Sequence, residues 1–286
     1  MTSLVRLRKD AIRARRRPRV VMLLWLWEAT LGVLLGSTFA SVATTAYGHH
    51  PDGDAPLFAP GGLPLLDLAR HSLAARGPLL AATLLTVAFA RFVGILPAAA
   101  VFADILFTTS RKRAPPLRHV LLRGLVALPA SLSIAVVTLA LQGAAVAFGL
   151  IVAATLSSSA VARLGARDGD LVVLAIAALG VAGAVVVGVT GDIARASVVR
   201  HEAPAFIAIP QGMRSFARHP MALTWSYLWR EASSWVPVIV VAMVATELGG
   251  RGGLALVVLA GLHQAVIVTR ASIKASWMSR VLRALD

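Results

Sequence analysis

The amino-acid sequence predicts an all-α integral membrane protein, a polytopic bundle of six transmembrane helices with both termini in the cytoplasm. Three observations predict it. Of 286 residues, 58% are apolar and only 14% charged, with a mean hydropathy of +0.79. A soluble domain carries about a quarter charged residues. Apolar stretches recur at lengths that cross a ~30 Å hydrocarbon core. The basic residues behind the net charge of +15 gather in short runs beside those stretches, where cytoplasmic loops and anionic headgroups meet. That clustering argues for a lipid surface and against nucleic acid, which a basic balance alone would otherwise suggest.

The chain reads as one integral membrane domain over residues 1–286. Residues 1–19 form a basic cytoplasmic N-terminus with Arg6, Arg8, Lys9, Arg13, Arg15, Arg16, Arg17 and Arg19. Residues 20–43 are the first span. A secretory signal peptide competes with that reading, because Ser41, Val42 and Ala43 are small, but the apolar stretch exceeds an ordinary signal core. Residues 48–77 are loop-like and nearly balanced in charge, with a short surface helix expected over 63–75.

Pro78 opens the second span, which runs to about Thr109 with a kink at Pro97. Arg111, Lys112, Arg113, Arg118 and Arg123 form a basic loop over 111–123. Residues 124–162 carry no charge. They form one kinked crossing or, in a seven-span alternative, two short ones with a turn at Gln142 and Gly143. The fourth span covers 170–190 and ends at Gly191 and Asp192. A polar connection over 201–220 follows. The fifth span covers 221–248 and bends at Pro237; after a glycine-rich turn the sixth covers 254–270. Residues 271–286 form an amphipathic basic tail. One crossing at 124–162 keeps every basic segment on the inside, whereas two would expel Arg195, Arg200, Arg214, Arg218 and the tail. Arginine far outnumbers lysine, as in GC-rich bacterial genomes, and the expected location is the bacterial inner membrane.

Ionisable residues inside spans are costly and mark candidate sites. Glu28 lies roughly 12 Å from the inner edge and Arg91 roughly 10 Å, counted along helices. Matched depth predicts that they pair, as a lock on helix rotation or as a substrate or proton site. His263 and Gln264 lie mid-span, and Arg270 and Lys274 share the face of His263. Asp192, Arg195, Arg230, Glu231 and Arg270 are candidates at the cytoplasmic edge, with Trp225, Trp229 and Trp235 as interfacial anchors. Gln142 is a candidate inter-helix hydrogen bond. Gly32 and Gly36, like Gly180, Gly183 and Gly188, allow close helix approach.

No cofactor motif and no catalytic motif is present, and cysteine is absent, which excludes disulfides and thiol chemistry. His49, His50, Asp52 and Asp54 have metal-ligand character. Four donors in one short loop rarely reach a tetrahedral arrangement, so no metal is expected.

Asp192-Ile193-Ala194-Arg195-Ala196, an amphipathic piece ending Phe216-Ala217-Arg218-His219-Pro220, a span with Tyr227, and the spacing of Gln264, Arg270, Ala275 and Ser276 cover roughly the last third. This pattern resembles poorly characterised bacterial six-span proteins, among them the membrane domains that accompany some glycerophosphodiester phosphodiesterases. The resemblance implies six spans and a cytoplasmic Asp-Arg helix end. It carries over no catalytic residue, because the phosphodiesterase domain is missing. The expected role is a non-enzymatic membrane subunit or scaffold that binds partner helices, a membrane complex, another copy or lipids. The alternative is a small transporter or channel with Glu28, Arg91 and His263 around an inner-half cavity, for which Pro97, Pro129 and Pro237 would supply broken helices.

Overall fold

The structure, a computed structural model, describes residues 18–47, 95–110, 116–248 and 253–285. Among them the chain is helical, with no strand: α1 Pro18–Tyr47, α2 Ile95–Ser110, α3 Leu117–Leu164, α4 Ala166–His201, α5 Ala205–Arg218, α6 Pro220–Leu248 and α7 Leu254–Ala284. Four helices (α3, α4, α6 and α7) are long and apolar enough to cross a membrane. The all-helical membrane class is therefore what the sequence predicts. In lipid the backbone must satisfy its own hydrogen bonds, and the helix does so within one segment.

The chain divides into two compact units, each interleaving distant stretches. Among the described residues, one unit holds 102–110, 116–228 and 277–285, and the other 18–47, 95–101, 229–248 and 253–276.

The first unit is built on an antiparallel hairpin of α3 and α4, with α5 packed against α4. The 48-residue α3 runs without interruption through Pro129, Gln142 and Gly143. The turn falls at Gly165, whose φ of +84° only glycine adopts without strain. A pair of short spans turning at Gln142 is thus not formed. Facing residues trace the hairpin's register. A Cβ on Gly149 would stand 2.8 Å from the Gly180 Cα, and one on Gly191 2.5 Å from the Thr138 hydroxyl. Gly149 and Gly180 let the two backbones touch, and Gly191 admits the Thr138 side chain.

Several expected boundaries shift outward. Leu117 to Arg123, expected in a loop, is the first part of α3, which starts after the extended Pro116. Gly191 and Asp192 do not end α4; the helix continues to His201 and stops at Glu202, which has a left-handed φ of 53°. Gly191 marks a close approach to α3 and not a cap. The connection over 201–220 contains α5, whose Ala208, Gly212 and Ser215 are buried. Nor is 271–286 a separate tail, because α7 runs unbroken to Ala284. Its Ala271, Ala275, Met278 and Leu282 are buried at helical spacing, so the face expected to be amphipathic packs against protein. Helices α2, α3 and α6 also continue through Pro97, Pro129 and Pro237. The expected second span is described only from Ile95, and the expected surface helix over 63–75 lies outside the described residues.

Candidate functional site

Helix α4 sets the scale of the hairpin. Residues 171–191 carry no charge between Asp170 and Asp192, a stretch roughly 32 Å long at the α-helical rise. That matches a hydrocarbon core. Large apolar side chains point outward along this zone, with Phe148 and Leu179 each 71% exposed. The interior of the hairpin is small. Thr138 and Gln142 are polar exceptions, and the Gln142 Nε2 donates to the Ala184 carbonyl at 2.9 Å. The inter-helix hydrogen bond expected of Gln142 is formed. Gly188 makes room for it, since a Cβ there would stand 2.6 Å from that nitrogen.

Below Asp192 the packing changes character. Here the lower part of α3, the end of α4, α5 and the last turns of α7 converge around Val189, Ile193, Ser197, Leu223, Val281 and Leu282, all nearly or fully buried. Asp192 is the hub. One carboxylate oxygen takes the Arg195 guanidinium, one helical turn on. The other accepts the Trp277 indole N–H at 2.7 Å. Trp277 in turn stands edge-on to Tyr227, with ring centroids 5.2 Å apart. A carboxylate with a charged and a neutral donor has lone pairs satisfied on both oxygens, which makes its partial burial tolerable.

Two further links close the base. Ser197, fully buried, donates to Gln211 of α5 and lies 3.3 Å from His201 Nδ1. Both contacts lie within the packed base. Arg123 near the start of α3 pairs with Glu202 at the end of α4. Arg200 donates to the Leu282 carbonyl at 2.8 Å and so ties the last turn of α7 to α4.

In the other unit, Glu28 of α1 meets Lys274 of α7 at 3.4 Å. Its expected partner Arg91 lies outside the described residues. Gln264 accepts the Trp25 indole N–H at 2.9 Å, whereas His263 is exposed. Arg270 stands over the Trp235 ring, 5.5 Å from its centroid, which spreads its charge over an aromatic face. Arg230 Nε donates to Ser276 at 3.3 Å. Glu231, Trp225, Trp229 and Trp235 are exposed. Gly32 has open space around it. Among the described residues no three His, Asp or Glu side chains gather as metal ligands, and His49, His50, Asp52 and Asp54 lie outside them.

Sequence reasoning thus reached Asp192 and Arg195 but not their partner Trp277, which is 85 positions from Asp192. It also passed over Asp104, a carboxylate only 3% exposed within the second expected span. An acidic residue in an apolar run is the signal that would have found it. Together, fold and site define a class: a multi-pass helical membrane protein in which a set of described polar side chains, Gln142, Asp192 and Arg200 among them, ties helix to helix. No family model, curated protein or solved structure matches the chain.

Proposed function

We propose that the chain is a non-enzymatic membrane subunit or scaffold that binds partner helices, a membrane complex or lipids. The observation that carries the reading is a contrast in how side chains are used. The polar contacts between distant segments fix one helix on another, as Asp192 is on Trp277 and Gln142 on Ala184, while long apolar rows on α3 and α4 face outward. A surface of that kind offers adhesion to lipid or to other helices and no chemistry.

The topology belongs to the same proposal. Six spans, with both termini on the cytoplasmic side of a bacterial inner membrane, put the base and its arginines inside and the Gly165 turn outside. Two features support it: the uncharged 171–191 stretch and the concentration of Arg118, Arg123, Arg200, Arg214 and Arg218 at one end of the hairpin. The likeness of the last third to bacterial six-span proteins is consistent with the same arrangement.

Native mass spectrometry after gentle detergent extraction tests the role. The expected result is a chain carrying bound lipid, a second copy or a partner protein. A bare monomer under conditions that preserve other membrane complexes contradicts it.

A further inference from the structure

The end of α7 holds two arginines that the helix ties leave unused. Arg280 and Arg283 stand one helical turn apart, and the Nε of each is shut off from solvent with no hydrogen-bond partner. Burial strips water from the Arg283 guanidinium, and the like charge of Arg280 acts against it. Arg200 of α4 donates to the backbone carbonyl of Leu282, the residue before Arg283. The helix C-terminus favours cations in a general way. It does not supply an acceptor to either Nε–H. Each side chain is half-buried, but an Nε–H closed off without an acceptor still carries a cost, and the fork of a guanidinium matches the oxygens of a phosphate. Position narrows the source. Counted from Leu254, a hydrocarbon core ends near Lys274, so Arg280 and Arg283 fall roughly 10 Å beyond it. Phospholipid headgroups occupy that level.

We propose that Arg280 and Arg283 form a phosphate-binding site, filled by the phosphodiester of an anionic phospholipid. It deepens the scaffold reading above and rests on its lipid-binding branch. The site gives the chain a lipid of defined charge at the base of the first unit, where α7 is tied to α4. Both side chains are half-buried, so swinging the two guanidinium groups outward, with the helix left in place, would present their N–H groups to one phosphate.

The test titrates full-length protein in neutral detergent with phosphatidylglycerol, with phosphatidylcholine and with inorganic phosphate, and reads bound species by native mass spectrometry. Wild-type protein is expected to bind phosphatidylglycerol at least tenfold more tightly than the Arg280→Gln, Arg283→Gln double variant. Phosphatidylcholine, whose choline cancels the phosphate charge, is expected to bind both alike. Inorganic phosphate is the arm for source. Its displacement of phosphatidylglycerol at millimolar concentration supports one shared site, while tight binding of phosphate alone replaces the lipid with a soluble anion. An Arg163→Gln, Arg167→Gln variant removes equal charge at the far end of the hairpin and is expected to keep its lipid; equal loss there overturns the site. Should the first variant not fold, Arg280→Lys with Arg283→Lys keeps the charge and deletes both Nε donors, with several-fold weaker binding expected. Unchanged binding in that variant overturns the role of Nε. A protein that keeps partner or lipid in every variant retains the scaffold reading and loses the phosphate site.

Discussion

The two ends of the α3–α4 hairpin hold together by different means. Toward the Gly165 turn, Gly149 and Gly180 press backbone on backbone, and the large side chains face outward. Toward the base, buried aliphatic residues surround a polar set centred on Asp192, Arg195 and Trp277. The difference follows from the solvent. Where lipid surrounds a helix, apolar side chains gain nothing by turning inward, so close packing of small residues holds the pair. Where water and headgroups begin, burial of apolar surface becomes favourable again and polar side chains can be matched to one another.

The largest expected effect breaks the upper end. Gly180→Leu places a branched side chain where even a Cβ would meet the Ala145 carbonyl at 2.9 Å. A loss of more than about 3 kcal/mol is expected, at the top of the overpacking range, read as a fall in thermal midpoint in detergent. Gly143→Ala is the control. It has open space, and the better helix former should hold or raise stability by up to about 1 kcal/mol. If both substitutions cost the same, backbone contact is not what closes the hairpin.

Next comes the hub of the base. Asp192→Ala leaves the Trp277 N–H and the Arg195 guanidinium without their acceptor, at a cost of about 2–3 kcal/mol. Asp192→Asn keeps an acceptor for the indole and should cost about half. Tryptophan fluorescence during unfolding reads both, and an alanine variant as stable as wild type would remove Asp192 from its central place.

A smaller effect separates polar from glycine packing within the upper end. Gln142→Leu removes the bond to Ala184, and inter-helix bonds of this kind are worth about 0.6 kcal/mol in lipid. A loss above about 2 kcal/mol would mean that polar contacts dominate there too. The smallest change is at Glu202. Glu202→Gly relieves a left-handed backbone at φ 53° but removes an exposed ion pair to Arg123. Relief and loss are each about 1 kcal/mol, so the melting temperature should barely move.

Much of the fold was legible in the sequence because lipid makes helix length a matter of counting. Apolar runs bounded by charge foretold every helix longer than α5 that the structure describes. Their ends were less legible. Gly191 looks like a terminator until Thr138 is seen against it, and Leu117 to Arg123 looks like a loop until Arg123 is seen to pair with Glu202. Tertiary packing decides both, and a single chain read in order does not display it. The same holds for the candidate residues. Asp192 and Arg195 were each visible as candidates at the cytoplasmic edge, whereas Trp277 and Asp192 become neighbours only in the folded chain. Depth counting placed Glu28 level with Arg91, which lies outside the described residues, and it ranks partners by height alone, so it did not show Lys274 reaching Glu28 from another helix.

The most direct test of the account is which side of the membrane each end of the hairpin faces. The chain has no cysteine, so single-cysteine variants report one position each. With a membrane-impermeant maleimide on intact cells, Arg167→Cys at the turn is expected to label at once. Arg218→Cys at the end of α5 should label only after the cells are opened. Labelling of both from the same side would place turn and base together and contradict the claim that this hairpin crosses the bilayer once up and once down.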